Sequence, residues 1–203
     1  KNIFFYSVRI SLLFFTALTS SLYGEGLEKH LTIIIPSYNN AQWLEKNLRS
    51  VFMQKYSNYS VIYCNDCSTD DTFNKVQKCI GALGMQNKVT LISNPVRRGK
   101  AANLWLTIHN RNSEHVIPDE SIIVVLDGDD WYPHDEVFSY INKLYTENDI
   151  WFSYGGFQEY PSKKKCFNKP IPQKILDSNA FRKAGAFCSQ RRTFYALLYR
   201  QIK

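Results

Sequence analysis

A chain of 203 residues, 44% hydrophobic and 21% charged, has the make-up of an ordinary globular protein with one α/β-sized core. Five cysteines, an odd number, do not form a disulfide framework. The net charge of +7 is uneven: residues 151–203 carry 11 Lys/Arg against Glu159 and Asp177, a tail suited to phosphate, an acidic acceptor or an anionic membrane surface, while nucleic acid is not expected because no zinc finger or RNP element accompanies the charge.

In chain order, Lys1 and Arg9 flank aromatics, and residues 10–22 are uncharged and largely apolar before Tyr23-Gly24-Glu25-Gly26. This resembles a secretory signal or, with residues 3–8 included, a membrane anchor of about 20 residues. Residues 1–28 are therefore set apart from the fold, and the chain, which lacks an initiating Met, is expected to be a fragment. From residue 29 strand and helix patterns alternate. Residues 31–35 predict a strand closed by Pro36, and residues 41–52 a helix with Trp43, Leu44, Leu48, Val51 and Phe52 at helical spacing. A strand follows over 59–64, then Ser68-Thr69-Asp70-Asp71 caps a helix running to Gly84. Residues 88–92 predict a strand, 99–110 a helix, 122–126 a strand, 135–145 a helix and 150–154 a short strand before Gly155-Gly156. The pattern is then irregular until a basic amphipathic helix over 191–202.

Alternating β and α elements call for a mostly parallel sheet flanked by helices on both faces. Such sheets bind ligands outside the carboxyl ends of their strands. Four strand ends are polar here: Pro36-Ser37-Tyr38-Asn39, Asn65-Asp66, residues 94–100, and Asp127-Gly128-Asp129-Asp130. The last follows the aliphatic run 122–126, the signature of a strand buried on both faces. Three carboxylates this close need a counter-charge, and oxygen-only ligands at this density suit Mg2+ or Mn2+. Tyr38 is placed to stack on a base, Asp66 to accept from a ring N–H, and Arg97-Arg98-Gly99-Lys100 to clamp phosphate at a helix start. Neither G-x-G-x-x-G nor G-x-x-x-x-G-K-[ST] occurs, which weakens dinucleotide and P-loop readings. Cys64-Asn65-Asp66-Cys67 leaves open a thioredoxin-like redox protein, and a nucleotide-sugar binder without turnover is a further alternative.

The runs Leu31-Thr32-Ile33-Ile34-Ile35-Pro36-Ser37-Tyr38-Asn39, Asn65-Asp66-Cys67-Ser68-Thr69-Asp70-Asp71-Thr72, Arg98-Gly99-Lys100-Ala101-Ala102-Asn103 and Asp127-Gly128-Asp129-Asp130-Trp131 together resemble a family 2 glycosyltransferase of the GT-A fold. The usual D-D-x-S of the second motif is altered at Asn65 and Cys67, while Asp66 and Ser68 remain. The resemblance implies inverting, metal-dependent transfer of a single sugar from a nucleotide-diphosphate donor, UDP-linked by expectation, to a glycan or lipid-linked acceptor. It implies donor contacts from Pro36, Tyr38, Asn39, Asp66, Arg98, Lys100, Asp127 and Gly128, with Asp129 and Asp127 holding Mn2+ or Mg2+. Asp66 would take the uracil edge, Asp127 the ribose or metal, and Asp130 would brace the turn. Residues 29–155 form the nucleotide-sugar-binding core in this reading. Residues 156–203, with the basic C-terminal helix, form an acceptor-side segment expected to be incomplete. Glu159 is the candidate base, with the true base possible beyond Lys203. Donor chemistry favours the cytoplasmic face of a membrane, whereas the signal-like segment suggests anchoring or export.

Overall fold

The computed structural model describes residues 5–8, 28–111, 116–166, 174 and 192–201. The apolar segment 10–22, Asp177 and Gln190-Arg191 lie outside the described residues.

Leu31–Ser37 (β2) enters the core because its seven residues are apolar or small, and all seven are buried. Side chains alternate across a strand, so Leu31, Ile33 and Ile35 face one apolar cluster while Ile34 faces the other. Each such buried side chain stabilises the fold by about 1.5–3 kcal/mol. The first cluster is covered by Leu44–Phe52 (α1), Thr72–Ala82 (α2) and Val137–Glu147 (α4). The second is covered by Lys100–Ile108 (α3) and the short helix Ala196–Arg200 (α5). Helices thus flank both faces of the sheet.

Tyr59–Asn65 (β3), Val89–Ser93 (β4) and Ile122–Val125 (β5) join β2 in parallel. The other strands are Phe5–Val8 (β1), Phe152–Gly155 (β6) and Thr193–Tyr195 (β9), giving the order β1-β6-β9-β5-β2-β3-β4. Phe157–Gln158 (β7) and Lys165–Cys166 (β8) form a separate hairpin. The chain moves outward from β2 through β3 to β4, then returns to place β5 on the other side of β2. The strand order therefore reverses between β2 and β5, which opens a crevice at their carboxyl ends.

Two expectations change. Residues 5–8 do not stand outside the fold: they pair antiparallel with β6 as an edge strand, Phe5 opposite Gly155. The basic helix over 191–202 is not formed as such. Thr193, Phe194 and Tyr195 instead pair antiparallel with β5 and β6, and only residues 196–200 are helical. β-Branched and aromatic residues fit the pleated gap between two strands. Thr193 is fully buried there, within 2.5 Å of the Ser153 hydroxyl and 2.9 Å of the Tyr145 hydroxyl. The remaining helix has a single basic residue, Arg200, which turns inward to the Ile108 and Ile117 carbonyls and to Asp119. It presents no cationic face to a membrane. No helix among the described residues is long and apolar enough to cross one.

Candidate functional site

The acidic turn leaves β5 and stays in register with β2, because Leu126 N–H donates to the Ile34 carbonyl and Gly128 N–H to that of Pro36, each at 3.1 Å. That approach explains the glycine. A Cβ on Gly128 would lie 2.5 Å from Ser37 Oγ and 2.6 Å from Asn40 Nδ2. Both Gly128 and Pro36 are buried, and both hold the two strand ends together. Asp127 is half-buried and Asp129 exposed at the rim. Lys100 Nζ stands 2.6 Å from Asp127 Oδ2 in a hydrogen bond and 2.5 Å from Oδ1 in a pairing without hydrogen-bond geometry. Oδ1 is thus a buried oxygen with no directed donor. Asp129 has no hydrogen bond or ion pair among the described residues.

Residues on α1 that the sequence did not mark hold this turn in place. Asn47 is fully buried and donates both amide hydrogens, to Asp127 O at 3.0 Å and Asp130 O at 2.6 Å. Ser50 Oγ accepts from Tyr132 N–H, and Gln54 bridges the His134 carbonyl and Phe138 N–H. Asn47 and Ser50 on α1, with Gln54 just past its C-cap, thereby clamp residues 127–138. Their only sequence signal was polarity at positions that face the core, since Asn47 sits next to Leu48 in the apolar stripe.

Asp66, at the end of β3, is 4% exposed. Its Oδ1 accepts from Arg98 N–H at 2.8 Å and Asn94 Nδ2 at 2.9 Å, and its Oδ2 from Gly99 N–H at 2.8 Å. Burial alone would push its pKa up. The Arg98 N–H, the Asn103 and Asn94 side chains and the Gly99 N–H outweigh that and hold it below the ordinary carboxylate value. Asp66 therefore anchors the basic loop. Gly99 leads into α3 with φ 84°, a left-handed conformation that favours glycine. The loop's other cation, Arg97, lies with its guanidinium 3.9 Å from the centre of the half-buried Tyr38 ring.

Contacts thus run continuously from Tyr38 to Arg97, from Asp66 to Arg98 and Gly99, and from Lys100 to Asp127. The structure brings together these predicted donor-side residues from four strand ends. Asn39 takes another part. In the left-handed region at φ 53°, it uses its side chain on Thr69 and Asp70, tying the β2 loop to the start of α2. The predicted side-chain cap is not made: the N-cap is Asp71, without a capping hydrogen bond from its side chain, and Asp70 just before it accepts from Thr72 N–H at 3.0 Å.

Glu159 is exposed in the turn between β7 and β8 and accepts from the Ser162 hydroxyl at 3.2 Å. Its neighbour Tyr160 lies against the acidic turn, with its ring 5.2 Å from that of Trp131. The cysteine pair is no redox couple. Cys64 is fully buried among apolar residues of the α3 face, and burial pushes its thiol up to about 11. Cys67 stands at the rim against the Pro95 carbonyl, and both are free thiols. Redox work calls for the opposite, a lowered thiol pKa.

A divalent cation fits this donor set. Asp127 offers a buried oxygen without a directed donor, Asp129 an exposed carboxylate beside it, and Lys100 marks the demand for positive charge. No group of three or more His, Cys, Asp or Glu that could hold a metal occurs among the described residues. That accords with ions held by one or two carboxylates plus substrate phosphates.

A mixed sheet, parallel over β5-β2-β3-β4 and antiparallel beyond β5, with its crevice at the β2–β5 reversal and acids at the β5 end, is the GT-A architecture. A mannosyltransferase of Pyrobaculum calidifontis, solved with GDP-Man and Mn2+, superposes with a TM-score of 0.57 at 22% identity, over 87% of this chain and 47% of that one. The glucosyl-3-phosphoglycerate synthase of Mycobacterium tuberculosis, solved with Mn2+, UDP and phosphoglyceric acid, gives 0.54 at 19% identity over 84% and 57%. Residues 32–196 match the profile of Glycosyl transferase family 2, and the chain belongs to that family. A UDP-Glc:alpha-D-GlcNAc-diphosphoundecaprenol beta-1,3-glucosyltransferase of Escherichia coli is 26% identical over 78% of this chain and 57% of its own length. A second E. coli enzyme of that description is 28% identical over 63% and 45%. The chain spans about half the length of these curated relatives.

Proposed function

We propose that this chain forms the donor half of an enzyme moving a single sugar from a nucleoside-diphosphate sugar, UDP-linked, to a hydroxyl of a glycan or lipid-linked acceptor, with inversion. The observation that carries the reading is the linked set Tyr38, Asp66, the Arg97–Lys100 loop and Asp127 at the carboxyl ends of four parallel strands. Tyr38 offers a ring for the base. Asp66 would accept from a ring N–H, such as the uracil N3. Arg98 and Lys100 supply cations for the phosphates.

Asp129 and Asp127 would hold Mn2+ or Mg2+. When bound, the cation supplies neutralisation of the charge that develops on the leaving diphosphate. With the cation on Asp127, Lys100 would be available to the phosphate oxygens. The acceptor hydroxyl attacks the anomeric carbon in line, and its proton passes to a carboxylate. Glu159 is the candidate among the described residues beyond Gly155. Cytosolic nucleotide sugars put the reaction on the cytoplasmic side of a membrane.

Calorimetric titration with UDP, with and without Mn2+, tests this. Binding is expected only with the metal, and Asp129→Ala is expected to abolish it while leaving the melting temperature unchanged, since Asp129 is exposed. Metal-independent UDP affinity, or retained binding in the variant, would sink the assignment. Product analysis with a lipid-linked sugar then distinguishes turnover from binding alone.

A further inference from the structure

Beside the acidic turn, three aromatic side chains from distant parts of the chain meet. Trp43 precedes α1, Trp131 follows Asp130, and Tyr160 belongs to the β7–β8 turn. Ring centroids are 6.0 Å apart for Trp43 and Trp131, 6.1 Å for Trp43 and Tyr160, and 5.2 Å for Trp131 and Tyr160. This is no core cluster. Tyr160 is 59% exposed and both tryptophans are only half-buried. Lys46 Nζ rests among the rings, 3.8 Å from the Trp131 centroid and 4.0 Å from that of Tyr160. Among the described residues no carboxylate pairs with it.

The helix explains why the cluster stands here. Trp43, Lys46 and Asn47 are spaced i, i+3 and i+4, so they share one side of α1. Asn47 faces inward and holds the Asp127 and Asp130 carbonyls, which sets Trp43 and Lys46 against the flank of that turn. Trp131 is two residues from Asp129, about 7 Å of chain at most. The aromatic platform therefore borders the acidic turn, which in the sugar-transfer reading holds the donor's diphosphate end.

The geometry points to an acceptor subsite for a sugar carried on a diphosphate, an inference that rests on the sugar-transfer reading above. One face of a pyranose is lined with C–H groups, whose partial positive charge suits the negative face of an aromatic ring. An ammonium without a carboxylate partner, already oriented by two rings, is a phosphate ligand. Exposed Lys163, Lys164 and Lys165 on the same hairpin extend the positive field. A neutral glycan would engage the rings and leave Lys46 unused, so the charge selects the diphospho-sugar.

The test uses the full chain with UDP and Mn2+ present, and a short-chain alkyl diphosphate of α-GlcNAc as probe, read by tryptophan fluorescence. The probe is expected to quench the wild type, and uncharged methyl α-GlcNAc to bind more weakly. Lys46→Gln and Tyr160→Ala should each weaken the probe roughly five- to tenfold, with UDP affinity in Mn2+ within about twofold of wild type. Lys46→Gln should not change the affinity for the methyl glycoside. Both side chains are exposed, so the variants keep the fold, which a melting curve checks. Equal probe affinity in wild type and both variants overturns the subsite. So does a wild type that binds UDP with Mn2+ but not the probe. A wild type that fails to bind UDP with Mn2+ overturns the donor reading and this inference with it.

Discussion

Asn47→Ala measures how far the acidic turn depends on α1. The amide makes two hydrogen bonds to carbonyls, each contributing about 1 kcal/mol. Asp127 O keeps the Asp130 N–H at 3.0 Å, so the larger loss falls on Asp130 O, whose amide partner stood at 2.6 Å. The space vacated by the amide adds a cavity contribution of under about 1 kcal/mol. Two effects oppose this. Asn47 Oδ1 is itself buried without a partner, and removing it returns about 1 kcal/mol. Alanine also has a better helix propensity than asparagine, by about 0.6 kcal/mol. The net destabilisation is about 0.4–1.4 kcal/mol. With a urea m-value of about 2 kcal/mol/M, the unfolding midpoint should fall by roughly 0.2–0.7 M. The same variant should weaken UDP binding in Mn2+, because the Asp127 carboxylate loses its fixed backbone. An unchanged midpoint together with unchanged UDP affinity would refute the clamp.

Gly128→Ala forces a Cβ to within 2.5 Å of Ser37 Oγ, and is expected to destabilise by about 1–3 kcal/mol. Adding Ser37→Gly should recover part of that loss in thermal unfolding, whereas simple additivity would refute the contact. Asp66 has a lowered folded-state pKa, so its contribution is complete above the ordinary aspartate value and is lost as pH falls through the folded value. Acid titration of stability should therefore show a shallower decline below about pH 4 in Asp66→Asn, and identical slopes would rule the anchor out. Cys64, with its thiol pushed up to about 11 by burial, should resist alkylation at neutral pH until the protein unfolds, while half-exposed Cys67 reacts. Rapid labelling of Cys64 in the native state, read by peptide mass, would contradict its place in the core.

The strand ends were legible because parallel strands buried on both faces are written as continuous aliphatic runs. The polar residues that interrupt them then mark the rim where ligands bind. The residue types also announced the charge demand at residues 127–130. The C-terminal segment was misread for a physical reason. A three-residue strand has no period to detect, and β9 forms only because β5 and β6 leave a gap between them. The α1 clamp was hidden for a similar reason. A polar residue in a helix reads as solvated unless the carbonyls it meets, some 80 residues later, are known.

Local pattern thus determined the order of elements, the α/β class and the polar loops at the four strand ends, since each depends on neighbours within a turn or a strand. Tertiary structure decided how those residues divide the work. Asp66 secures the basic loop, Asn39 ties two loops together, Gly128 admits Ser37 and Asn40, and Lys100 neutralises Asp127. It also gathered Trp43, Lys46, Trp131 and Tyr160 into one surface. Partners such as Ser37 and Gly128, or Trp43 and Trp131, set more than 80 residues apart, meet only when the whole sheet has closed, and no local preference encodes that meeting.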